Sequence, residues 1–153
     1  MTGLDDTDVV ILRHLMADGS LGAAALARKI GISQPSVWRR IRRLEDSGVI
    51  QGRRVVLDGQ AAGFGVTVFL GVKLASRGRS SLDDFERALT AIPEVQTIQH
   101  VLGRYDYRLR VVARDLGDFE RVLRRRIIVL PGVGDVEANV LLSEETRPLP
   151  PLS

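Results

Sequence analysis

Apolar residues recur at helical spacing through the first third of the chain and change to alternation after residue 65. Leu4, Val9, Leu12, Leu15 and Met16 mark one face of a helix over residues 4–16. Asp5 is placed to cap its first turn, and Asp8 adds favourable negative charge near its start. Asp18-Gly19 ends it. Leu26 and Ile30, four apart, predict a shorter helix over residues 23–30, and Gly31 supplies the sharp turn that follows. Ser33 then stands as an N-cap, and Pro35 falls in a first turn where its missing N–H has no helical partner to lose. Val37, Ile41 and Leu44, at i, i+4 and i+7, define a buried stripe on a third helix closed by Gly48. Three short helices with a glycine turn between the second and third predict a helix-turn-helix.

Residues 53–57, Arg-Arg-Val-Val-Leu, read as a short strand, and residues 58–63 as a linker. Val66, Val68, Leu70, Val72 and Leu74 then alternate with Thr67, Phe69, Gly71 and Lys73, a strand read as apolar on both faces. Leu82, Phe85, Leu89 and Ile92 predict a helix ending at Pro93. Strands follow at about residues 95–102 and 107–113, joined across 103–106. Leu116, Phe119, Leu123, Ile127 and Leu130 predict a last helix stopping at Pro131-Gly132, before a strand at about 135–142. The order β-α-β-β-α-β is the split βαβ, ferredoxin-like plan. The fold class is α+β, a three-helix winged helix-turn-helix domain followed by a ferredoxin-like domain. The expected boundaries are 1–57 for the first domain, 58–65 for the linker, 66–145 for the second domain and 146–153 for a Pro-rich tail. A sheet with helices on one face leaves its other face uncovered, and a second copy of the chain is the simplest cover.

Charge sharpens this division. The net charge of +3 lies wholly in residues 1–57, which hold nine Lys/Arg against six Asp/Glu; residues 58–153 hold thirteen of each. Residues 26–54 alone carry eight basic residues against Glu45 and Asp46. That concentration suits a polyanion, and the helix-turn-helix makes the polyanion double-stranded DNA. At 100° per residue Arg39 and Arg43 point away from the buried stripe, Ser36 and Arg42 share that outer side, and Arg40 sits at its edge. Gln34, Ser36 and Arg39, near the helix start, are placed for base edges, whereas Arg40 and Arg43 are placed for phosphates or for structure, and the N-cap Ser33 counts among the DNA-binding residues. Arg40 has a rival role as partner to a carboxylate inside the domain. Trp38, about 100° from the stripe, reads as partial core.

Cysteine is absent, so disulfides and thiolate chemistry are excluded, and His14 and His100 stand too far apart to suggest a metal site. No cofactor is implied. No apolar run reaches membrane-spanning length, and the acidic start, Leu4-Asp5-Asp6, lacks the features of an export signal. A cytoplasmic protein with no membrane partner is expected.

Leu4-Asp5-x-x-Asp8-x-x-Ile11-Leu12, Asp18-Gly19, Leu26-Ala27, Gly31-Ile32-Ser33, Val37, Arg40-Ile41-x-Arg43-Leu44-Glu45 and Gly48-Val49-Ile50-x-Gly52 together resemble the leucine-responsive regulator/AsnC family. So do Pro93-Glu94-Val95, Gly103-x-x-Asp106-Tyr107 and Leu130-Pro131-Gly132-Val133, and the likeness runs in order along nearly the whole chain. The resemblance implies a sequence-specific transcriptional regulator, a homodimer formed through the C-terminal sheet, assembly of dimers into octamers, and a small amino-acid-like effector bound near residues 103–107. Gly103, Tyr105 and Asp106 are the residues so implicated, with backbone N–H groups meeting the effector's carboxylate and Asp106 its ammonium. The plainer reading of Gly103 and Asp106 is a hairpin turn. Gly22 stands where the family often has a Ser or Thr cap, and Arg53 where it often has an aromatic residue. Two other readings compete: an architectural DNA-organising protein, and an enzyme like the sirohaem decarboxylases that share the two-domain plan. The scarcity of histidine and the lack of a nucleophile–base pair or phosphate-binding loop weigh against the enzyme.

Overall fold

The computed structural model describes residues 3–75 and 79–146, and the Pro-rich tail expected at 148–151 lies outside them. Two compact units emerge, one running up to Val56 and the other spanning Leu57–Glu144. In the first, helices α1 (Asp6–Ala17), α2 (Ala23–Ile30) and α3 (Gln34–Asp46) follow the predicted periods closely. Asp5 caps α1 in a capping box: its side chain accepts from the Asp8 N–H, and the Asp8 carboxylate accepts from the Asp5 N–H. Gly31 ends α2 at φ 74°, a left-handed conformation that favours glycine. Ile11, Leu26, Val37 and Ile41 meet in the core of this unit.

The strand expected at residues 53–57 does not form. This segment has no regular structure, and Val55 and Val56 are 88% and 92% exposed. A run of β-branched residues favours extended backbone, but a strand also needs a neighbour to complete its ladder, and none among the described residues provides one.

In the second unit β1 (Val66–Leu74), α4 (Arg79–Thr90), β2 (Val95–His100), β3 (Tyr107–Ala113), α5 (Leu116–Val122) and β4 (Val133–Val140) build an antiparallel sheet in the order β2-β3-β1-β4. This is the ferredoxin-like order that the sequence pattern predicts. The last helix departs from expectation: α5 stops at Val122 and passes into a π-helical turn, Leu123–Ile127, before reaching Leu130. Ile127 stays fully buried across the wider turn. The core lies between the sheet and the helices, with Val68, Leu70 and Val72 of β1 facing Phe85 and Leu89 of α4 and Phe119 of α5.

The expectation that β1 is apolar on both faces is corrected here. Alternation sends Thr67, Phe69, Gly71 and Lys73 to the face away from the core, where only Phe69 is large and apolar. Their partners in register are Val112, Arg110 and Arg108 on β3 and Asn139, Glu137 and Asp135 on β4. The outer face is therefore charged, with bases along β3 and acids along β4.

Candidate nucleic-acid interface and effector loop

Helix α3 owes its placement to Val37, Ile41 and Leu44, all buried, and its start to Ser33, which occupies the N-cap without a side-chain hydrogen bond. Its arginines divide into two groups. Arg40 Nη1 donates to Asp5 Oδ2 at 2.6 Å and to Asp8 Oδ1 at 2.8 Å, and Arg43 Nη2 donates to Asp8 Oδ2. Asp8 is fully buried. The Arg40 hydrogen bond, helped by the Asp8 N–H, holds the Asp5 carboxyl below its usual range, and Asp5 and Asp8 in turn raise the Arg40 guanidinium. The carboxylate role foreseen for Arg40 is thus occupied, and Arg43 shares it. Arg39 is exposed, with no ion-pair or hydrogen-bond partner among the described residues. Gln34 is exposed, Ser36 is half-buried, and Arg42 forms an ion pair with Glu45, at 3.7 Å. Trp38 is not partial core. It is 57% exposed, with the Arg42 guanidinium 5.8 Å from its ring centroid.

Arg53, expected to add charge to a strand, instead donates to the carbonyls of Gly19 and Leu21 at 3.3 and 3.1 Å. It ties the chain after α3 to the turn between α1 and α2.

The loop between β2 and β3 is organised from below by β1. Asp106 Oδ2 accepts from the Leu74 N–H at 2.9 Å, while the Asp106 N–H donates to the Val72 carbonyl at 3.0 Å. The carboxylate thereby continues the β1–β3 ladder where the backbone of β3 leaves it. Tyr105 lies across Gly71: a Cβ there would stand 2.6 Å from ring carbon Cδ2. The Tyr105 hydroxyl donates to Glu137, which lowers the Glu137 carboxyl and raises the phenol, and Arg104 closes over the ring at 5.3 Å. Gly103 is exposed with nothing close to its Cα substituent position, and the N–H groups of Leu102, Gly103 and Arg104 meet no backbone acceptor among the described residues. Sequence reasoning named Gly103, Tyr105 and Asp106 but missed Gly71 and Glu137, which only the strand pairing brings beside them. His100 stacks on Tyr107, ring centroids 4.9 Å apart. Tyr107 is buried and bonded to Glu86, and both effects push its hydroxyl above the usual tyrosine range.

Comparison with known proteins matches both units. A family model described as winged helix-turn-helix DNA-binding fits residues 4–51, and one described as Lrp/AsnC ligand binding domain fits residues 67–149. The Bkd operon transcriptional regulator of Pseudomonas aeruginosa is 37% identical over 99% of this chain and 100% of its own. A transcriptional regulator of Neisseria meningitidis, solved as a complex with L-Met, superposes with a TM-score of 0.89 at 26% identity, covering 96% of each chain. The feast or famine regulatory protein of M. tuberculosis, complexed with L-methionine, superposes with a TM-score of 0.85 at 30% identity over 95% of this chain and 96% of that one. The relatives are regulators, and nothing among them supports the enzyme reading. This chain belongs to the Lrp/AsnC family of DNA-binding transcriptional regulators.

Proposed function

We propose that α3 reads operator base edges through Gln34, Ser36 and Arg39, that the chain works as a homodimer or as an octamer built from four such dimers, and that an amino-acid effector is taken up at the loop before β3. The division among the α3 arginines carries the first part. Arg40 and Arg43 are committed to Asp5 and Asp8, which fixes the helix, whereas Arg39 stands in solvent ready for a guanine edge. Arg43 keeps more than half of its side chain exposed and has N–H groups left for a phosphate. Ser33, at the helix N-terminus, is placed for a phosphate or base edge beside them.

The effector reading is supported by the L-Met complexes of two relatives and by the N–H groups of the exposed residues 102–104, which meet no backbone acceptor among the described residues and suit a carboxylate. With one Asp106 oxygen already on the Leu74 N–H, the effector's ammonium shares this carboxylate with the fold. Acting on chromosomal DNA, the protein works in the cytoplasm.

Two measurements test this. Arg39→Ala is expected to cost about 1–3 kcal/mol on a duplex selected by the wild-type protein, with much less effect on random DNA. Unchanged binding sinks this placement of the reading surface, and diffuse rather than defined footprints favour a DNA organiser. Calorimetry against the common amino acids is expected to find one that binds at millimolar concentration or below and loses affinity in Asp106→Asn. If none binds, the loop is only a turn.

A further inference from the structure

Trp38 is the one aromatic side chain of α3, and 57% of it is exposed. A lone exposed apolar residue needs no explanation by itself. Its neighbours on the helix change that. Gln34, Trp38 and Arg42 follow one another at i, i+4 and i+8, a single line along one flank of α3. The opposite flank is held by Asp5 and Asp8 through Arg40 and Arg43. The other flank therefore presents an amide, an indole and a guanidinium in series, and the guanidinium stands 5.8 Å from the indole centroid and 3.7 Å from the Glu45 carboxylate. The one apolar group that a base edge offers in the major groove is the C5-methyl of thymine.

Resting on α3 as the DNA-reading helix, we infer that Trp38 is a specificity-determining residue that packs its ring against a thymine methyl, while Arg42, steadied on that ring, reaches the neighbouring phosphate. An indole lying over a methyl group removes apolar surface of both from water, and no other base edge can repay that contact. Thymine at one operator position is then required by contact rather than by hydrogen bonding.

Trp38 is also the only tryptophan of the chain, so its emission reports on this residue alone. The probe is the duplex that the wild-type protein selects from a randomised library. Adding it to the full-length protein is expected to shift the emission to the blue and to reduce acrylamide quenching several-fold. Trp38→Ala should bind that duplex about tenfold more weakly, with an unchanged circular dichroism spectrum because the ring supports no core. Replacing the duplex thymines one at a time by deoxyuridine removes single methyl groups. At one position this should weaken the wild-type protein about fourfold and leave Trp38→Ala unaffected, with Trp38→Phe falling between. A flat uracil scan overturns the proposal. So does equal weakening of Trp38→Ala on all duplexes, which places the ring on deoxyribose. Emission unchanged by a duplex that plainly binds overturns it while leaving α3's partner intact, whereas failure to select any duplex removes both readings together.

Discussion

Asp8 has no exposed surface, yet it lies in the first turn of α1 and carries a charge. The cost of that burial is offset by three donors: the Asp5 N–H, Arg40 and Arg43. One carboxylate therefore joins the helix start to the reading helix. Asp8→Ala should lower the stability of the N-terminal unit by about 2 kcal/mol in urea melts followed by circular dichroism, a figure held down because Arg40 and Arg43 regain water. Asp8→Asn keeps the shape and one acceptor and should recover part of the loss. The same cluster sets an acid limit. Asp5 has a folded-state pKa below its ordinary 3.8, so its contribution is fully present above that value and fades as pH falls through the lower, folded one. Melting temperatures from neutral pH downward should therefore drop less steeply in Asp5→Asn than in the wild type below about pH 4. Identical slopes would show that the Asp5–Arg40 bond carries no linkage.

At the scale of elements, the loop before β3 depends on β1 more than on its own turn residues. Gly71→Ala places a methyl inside the Tyr105 ring, so the ring must leave and its bond to Glu137 must break; a cost of about 1–3 kcal/mol is expected. In Gly71→Ala with Tyr105→Ala the clash has no partner, so the double variant should be more stable than the two single losses added together. Strict additivity would mean that the ring does not sit on Gly71. The elements themselves were readable where burial repeats: the alternation of 66–74 and the spacing of Val37, Ile41 and Leu44 each record one covered face. Residues 53–57 show the limit of that record, because β-branched composition states a backbone preference and not the presence of a partner strand. Asp106 shows another, since its acceptor role on Leu74 follows from strands 32 residues apart lying side by side. Trp38 shows a third. Periodicity gave its angle on the helix, but whether anything covers that angle depends on how neighbouring helices end.

At the scale of the molecule, the composition of the outer sheet face points to a partner. Lys73, Arg108 and Arg110 stand on it with Asp135 and Glu137, and Phe69 lies near its middle with Arg108 and Arg110 at 5.9 and 5.8 Å. Bases follow β3 and acids follow β4, on either side of β1. In the homodimer proposed above, a twofold axis running along β1 would lay the basic strand of one copy over the acidic strand of the other, so that a single chain would supply both halves of a self-complementary contact. Hydrophobic burial alone would make such a dimer insensitive to salt, whereas association through this face is expected to weaken as ionic strength rises. The wild-type chain is expected to sediment as a dimer or larger at micromolar concentration in low salt, with dissociation favoured by added salt. Arg108→Glu sets acid over acid and should shift the chain toward monomer. Adding Asp135→Arg reverses the opposing strand and should restore association. A wild-type monomer under these conditions contradicts assembly through this face, and a double variant no better associated than Arg108→Glu contradicts the pairing of β3 with β4.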